Sequence, residues 1–165
     1  MYRVRNIVIM LAAFTCLSAF ALREDRDKKM HIIADVWNYN YKTGITIFEG
    51  NVKVDQGTTH ITADKVVTKR NSQHEIEEAI AYGIQTQAHY WTLTKIGEQE
   101  MHAHANIIKY YPITSNVTLK ETVLVQQGEN SFQGQLIHYN MNDETITFPE
   151  SKEGRAVIVY NPDKN

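Results

Sequence analysis

Cysteine is all but missing from this chain. Cys16 is the only one among 165 residues, so neither an internal disulfide nor a cysteine-built metal site is available. Proline is scarce as well, limited to Pro112, Pro149 and Pro162, which leaves long stretches free to pair as strands. No excess of positive charge is present: 17 Lys+Arg stand against 19 Asp+Glu. A nucleic-acid binder normally carries a basic face, so that class is excluded. The G-x-S-x-G, P-loop and H-E-x-x-H signatures are all absent, and no cofactor is implied.

Long apolar runs are lacking too, except at the start. Residues 7–20 are apolar apart from Thr15, Cys16 and Ser18, and Arg3 and Arg5 precede them. The run falls short of the roughly 20 residues a membrane span needs. It ends in Ala19-Phe20-Ala21, a small-x-small cleavage pattern. Residues 1–21 therefore read as a cleaved signal peptide of an exported protein. Without Arg3 and Arg5, 15 Lys+Arg against 19 Asp+Glu leave a net charge of about −4, and no cysteine remains. Residues 22–29 are charged and patternless and read as a flexible tail. The ordered domain is expected over 30–160, with a second tail at 161–165.

What the sequence does contain is alternation. Val52 and Val54 flank Lys53, Ile61 and Ala63 flank Thr62, Val123 and Val125 flank Leu124, and Ile146 and Phe148 flank Thr147. A period of two gives each strand one buried and one wet face. Turn formers such as Lys42-Thr43-Gly44, Asp55-Gln56-Gly57 and Met141-Asn142-Asp143 separate the runs, as in an all-β meander. Residues 73–82 mix helical spacing (Ile76, Ala79, Ile80) with an alternation that ends at Gly83, and the alternation favours a strand.

One phrase occurs twice. Residues 34–66 align without a gap on 105–137. Ala34/Ala105, Tyr39/Tyr110, Thr43/Thr114, Val52/Val123, Val54/Val125, Gln56/Gln127 and Gly57/Gly128 are identical. Two half-units are expected to stack along one axis. They are not expected to be equivalent, because Glu121-Thr122 stands where the first copy has Gly50-Asn51, and a positive-φ turn suits Gly-Asn better.

His102 and His104 share one face of a strand, with His89 as a possible neighbour. They could begin a metal-assisted hydrolase, but a third ligand at defined spacing is missing, and a solvent-facing position opposite Met101, Ala103 and Ala105 is expected. Asp35 and Asp64 read as turn-stabilising carboxylates, not as an acid/base pair. The apolar faces remain. Met30, Ile32, Phe48, Val52, Val54, Ile61, Ala63, Tyr90, Leu119, Val123, Val125 and Phe132 would line the inside of a folded-over sheet. That interior is either a filled core, as in a structural or adhesive exported β-domain, or an open groove for acyl chains with unpaired edge strands at its ends.

Phe48-Glu49-Gly50-Asn51-Val52-Lys53-Val54-Asp55-Gln56-Gly57 followed by Ile61-Thr62-Ala63-Asp64-Lys65-Val66-Val67 resembles the first half of the OstA-like domain family. Ala81-Tyr82-Gly83 and His104-Ala105-Asn106 fall at further family markers. The resemblance implies a β-jellyroll of stacked antiparallel strands, open inside, that works in the periplasm and is not an enzyme. It implies binding of lipopolysaccharide through lipid A, and transport toward the outer membrane. It also implies head-to-tail contacts with further copies, and contacts with jellyroll domains of the inner-membrane component and the outer-membrane translocon. By position, Met30 and Ile32 fall in a lipid-contacting N-terminal strand. Tyr90 falls at an aromatic groove position, and Arg70 at a basic position suited to a lipid phosphate or sugar.

Overall fold

The computed structural model describes Asp25 and residues 28–143, 145–150 and 154–161. The expected signal peptide 1–21 lies outside the described residues, as do most of 22–29 and residues 162–165. Twelve strands are present among the described residues. They are β1 (Met30–Ile33), β2 (Val36–Asn40), β3 (Ile45–Gln56), β4 (Thr59–Arg70), β5 (Ile76–Tyr82), β6 (Ala88–Thr92), β7 (Met101–Ala105), β8 (Ile107–Tyr111), β9 (Asn116–Gln127), β10 (Asn130–Asn140), β11 (Thr145–Thr147) and β12 (Val157–Val159). The stretch 73–82 is a strand where it is ordered by a neighbour: Ala81 and Ile80 of β5 sit opposite Val66 and Val67 of β4. The Asn71 carboxamide accepts the amides of Gln73 and Glu75 at 2.9 Å each and closes the turn before it.

The four long strands β3, β4, β9 and β10 belong to two sheet layers at once. The C-terminal part of β3 pairs β1 and its N-terminal part pairs β2. β4 likewise pairs β6 with one half and β5 with the other. One layer therefore runs β1-β3-β4-β6-β7-β9-β10-β12 and the other β2-β3-β4-β5-β8-β9-β10-β11. The fold line between them is a row of bulges. Gly50-Asn51 stands opposite the single residue Asp64, and Glu121-Thr122 opposite Gln135. An extra residue in one strand bends the pair and sharpens its twist. This folded-over antiparallel sheet bears out the expected all-β jellyroll.

The bulge also shifts parity. On β4 the inward residues are Ile61 and Ala63 before Asp64, but Val66 after it. On β10 they are Phe132 before Gln135 and Ile137 after it. The core between the layers is built of Val52, Val66, Ala81, Ala88, Ala103, Ala105, Ile108, Leu119, Val123 and Ile137. Small side chains let the layers approach closely near the fold line.

The duplication is carried into three dimensions at an offset of 71 positions, the spacing of Gly57 and Gly128. β3 spans the same positions as β9 at that offset. Met30 pairs Gln56 as Met101 pairs Gln127. The Asp35 amide donates to the Gly50 carbonyl, and the Asn106 amide to the Glu121 carbonyl. The Arg70 amide donates to Gly44, and the Met141 amide to Ser115. The bend is kept although Glu121-Thr122 replace Gly-Asn: φ is 77° and 45° at Gly50 and Asn51, and 63° and 55° at Glu121 and Thr122. Side chains hold it there. The Thr122 amide donates to Gln135 Oε1 at 3.1 Å, and Gln87 Nε2 donates to the Thr122 carbonyl at 2.7 Å.

Candidate functional site

Between the two layers the interior is not filled, in a space walled by the first repeat together with β8, Val117 and Met141 of the second. A cavity of about 970 Å³ lies there, large for a small-ligand site. β1 contributes Met30 and Ile32, β3 Phe48 and Val54, β4 Ile61 and Val66, and β6 Tyr90. β2 adds Trp37 and Tyr39, and β8 adds Ile108 and Tyr110. Alternation along each strand aims these side chains inward, while Lys53, Asp55 and His60 take the outer face. Tyr90 is the polar handle of the wall. Burial pushes its hydroxyl up to about 12, opposed in part by hydrogen bonds with Thr92 and Thr59. It therefore stays protonated and neutral, as an apolar wall requires.

The cavity reaches two rims. At one, Asp25 accepts the Thr58 amide at 3.0 Å and the Thr58 hydroxyl at 2.5 Å, tying residue 25 to the β3–β4 turn. At the other, Arg70 and His74 form part of the wall, and Arg70 Nη1 donates to the His74 carbonyl at 2.7 Å. Arg70 is itself exposed. A cation thus stands at the mouth of a chamber whose depth is apolar.

Of the residues singled out in the sequence, Met30, Ile32, Phe48, Val54, Ile61, Tyr90 and Arg70 border the cavity. Val52 and Ala63 are buried beside the fold line. Leu119, Val123 and Val125 are buried in the second repeat, and Phe132 packs there against Phe148 with ring centroids 6.0 Å apart. Sequence reasoning missed Trp37, Tyr39, Tyr110, Val66 and Ala81. The parity shift at Asp64 hid Val66. The twin Tyr39/Tyr110 of the repeat was a signal for the tyrosines.

The remaining polar candidates have other work. Asp64 Oδ2 accepts the amides of Ile84 and Gln85 at 2.6 Å each and of Thr86 at 3.3 Å. Those bonds, Gln85 first and then Ile84, hold its carboxyl below the usual range. Asp35 accepts from Asn51 at 2.9 Å. His89, His102 and His104 lie together on the outer face of β6 and β7. His89 and His104 rings stack at 4.0 Å, and His89 Nε2 is 3.0 Å from His102 Nδ1. Burial, then the neighbouring His104 and His102, lower the His89 pKa to about 4. No group of three or more His, Cys, Asp or Glu side chains arranged to hold a metal ion is present among the described residues.

Comparison with known proteins follows the same outline. Residues 31–145 match the family described as LptA/(LptD N-terminal domain) LPS transport protein. The lipopolysaccharide export system protein LptA of Escherichia coli (strain K12) is 30% identical over 168 residues, covering 97% of this chain and 88% of that protein. The lipopolysaccharide export system protein LptH of Pseudomonas aeruginosa is 27% identical over 137 residues, covering 83% and 77%. The crystal structure of LptH, described as the LptA-homologous periplasmic component of the lipopolysaccharide transport device of Pseudomonas aeruginosa, superposes with a TM-score of 0.75. It is 23% identical and covers 84% of this chain and 99% of that one, a likeness of fold.

Proposed function

Since the chain belongs to the LptA/LptD N-terminal-domain family of lipopolysaccharide transport proteins, we propose that it is a periplasmic carrier holding lipopolysaccharide by its acyl chains. The apolar chamber of about 970 Å³ between the layers carries this reading. Each CH₂ withdrawn from water there contributes about 0.8 kcal/mol. Met30, Ile32, Phe48, Val54, Ile61 and Tyr90 would touch the chains, and Arg70 at the rim would meet a phosphate or sugar of the headgroup. Val52, Ala63, Leu119, Val123, Val125 and Phe132 would extend the same apolar surface behind and beyond the chamber. No chemical step is required of the protein.

The test is a pair of charges on neighbouring residues. Val54→Asp places a carboxylate in the chamber wall, and Lys53→Asp places one on the outer face of the same strand. Purified lipopolysaccharide is expected to bind the Lys53→Asp variant as it binds the wild type, and the Val54→Asp variant at least tenfold more weakly. Equal binding by all three folded proteins would sink the carrier reading.

The repeat also supports assembly end to end. β5 and β6 close the first repeat by pairing β8 and β7 of the second. Among the described residues their counterparts β11 and β12 have no such neighbours, and neither have β1 and β2 on their outer edges. Both free edges are apolar and exposed: Ile33, Val36 and Trp37 at one, Val157, Ile158 and Tyr160 at the other. A second copy would join by the pairing already used inside one chain, and jellyroll domains at the two membranes would cap the ends.

A further inference from the structure

A second hollow, of about 530 Å³, opens on the outer face of the layer that holds β8, β9, β10 and β11. Two rungs of the ladder cross it. Thr118 pairs His138, which pairs Thr147, and Asn116 pairs Asn140, which pairs Thr145. All six residues border the hollow. Thr118 lies between Val117 and Leu119, whose side chains enter the core, so alternation turns it to the outer side. The turns at the tip of the layer add Thr114 and Asp143, and Tyr111 adds an aromatic ring.

A polar outer face is ordinary for a half-buried sheet, but at these positions the first repeat is apolar. Ile45, Ile47 and Val67 stand 71 positions before Asn116, Thr118 and His138. The second repeat has kept the backbone and carries an amide, a hydroxyl and an imidazole there instead. These groups are also held in place. Thr118 is only 8% exposed, and its hydroxyl lies 3.0 Å from His138 Nδ1, which leaves His138 Nε2 for a ligand. Asn140 Oδ1 accepts the amides of Asn142 at 2.9 Å and Asp143 at 3.1 Å, which leaves its Nδ2 to donate.

We propose that this hollow is a saccharide subsite, for the sugars outside lipid A of a lipopolysaccharide whose acyl chains occupy the chamber. A sugar ring carries hydroxyls around its edge and C–H groups on its faces. It takes amide, imidazole and carboxylate partners beside an aromatic ring. The volume is that of a small-ligand site. Continuity with the chamber names the source of the sugar. Met141 and Asn142 border the chamber and Asp143 borders the hollow, all in one turn, and Val117 borders both. A ligand anchored inside reaches the hollow by crossing the tip of one layer. This rests on the carrier reading and deepens it, since it gives the headgroup a contact besides Arg70.

The experiment titrates three probes into wild type, Asn116→Ile and Asp143→Ala. They are intact lipopolysaccharide, lipid A, and the delipidated oligosaccharide that mild acid releases from the same lipopolysaccharide. Asn116→Ile restores the residue of the first repeat, which folds on the same backbone. Asp143→Ala, on an exposed turn, decides the matter if Asn116→Ile does not fold. Each variant is expected to lose about fivefold in affinity for lipopolysaccharide, the worth of one hydrogen bond, and to bind lipid A as the wild type does. The oligosaccharide alone is expected to shift amide NMR resonances of β9, β10 and β11 in wild type, and to shift them less in the variants. Unmoved resonances, or unchanged lipopolysaccharide affinity in the folded variants, overturn the inference and leave the carrier reading standing. Maltohexaose separates the sources: if it shifts the same resonances as strongly as the oligosaccharide, the hollow takes free glycans and the headgroup assignment falls. A wild type that binds neither lipid overturns the carrier reading, and the headgroup assignment with it.

Discussion

Glu121 and Thr122 hold a backbone conformation that costs a non-glycine residue on the order of 1–3 kcal/mol, and more for a β-branched one. They hold it because the fold line needs a bend there, and because Gln135, Gln87 and Asn106 bond to the backbone that makes it. The first repeat meets the same demand with Gly50-Asn51, at lower cost. Thr122→Asn is expected to raise stability by about 1 kcal/mol, since Asn tolerates the left-handed region. A urea midpoint that stays put or falls would contradict this. At this scale the sequence was informative about identity and poor about consequence. Glu121-Thr122 marked the departure between the copies, yet three long-range hydrogen bonds decided that the bend would survive it.

Among elements, β6 and β7 form the joint of one layer between the two repeats, and their outer face carries an imidazole cluster. His89 faces His104 directly across the ladder, with His102 on the diagonal. The acids on this face are Asp55, bonded to His60, and Glu100, 3.7 Å from His102. Burial is the first cause lowering both His89 and His104, so their folded pKa values lie below that of the unfolded chain. The unfolded state therefore takes up protons first as pH falls below 6.5. The stability these groups contribute is complete above about 6.5 and is lost progressively toward pH 4. His89→Gln is expected to flatten the fall of melting temperature across that window relative to wild type, and an unchanged slope would refute the assignment. The alternation of Ala103 and Ala105 with His102 and His104 revealed which way the imidazoles face. Their stacking against His89 could not be read from the chain, because it depends on the pairing of two strands nine residues apart.

For the molecule as a whole, the internal joint predicts the joint between copies. Ile158 pairs Phe132 as Tyr90 pairs Ile61, 71 positions earlier, and Ile32 stands 71 positions before Ala103, so repeating the β6–β7 pairing of Tyr90 with Ala103 between copies sets Ile158 of one copy opposite Ile32 of the next. Directly opposed residues have Cβ atoms within about 5.5 Å, near disulfide reach. In a Cys16→Ser background, Ile158→Cys with Ile32→Cys is expected to form oxidised ladders on non-reducing gels. Ile158→Cys with Ile33→Cys is expected to form few, and equal ladders from both would rule out this register. Strands, turns, the doubled phrase and most of the inward residues up to Asp64 were legible in the sequence, because alternation and glycine-bearing turns are local. On β4 the inward residue beyond Asp64, Val66, was not, because one bulge shifted the parity. The sequence by itself determined an all-β chain of two like units with one apolar face per strand. Only the tertiary structure decided that a chamber opens between the layers, because that depends on which side chains distant strands bring to one space: Met30 and Trp37 at one end of the sheet, and Tyr110, Val117 and Met141 from the second unit.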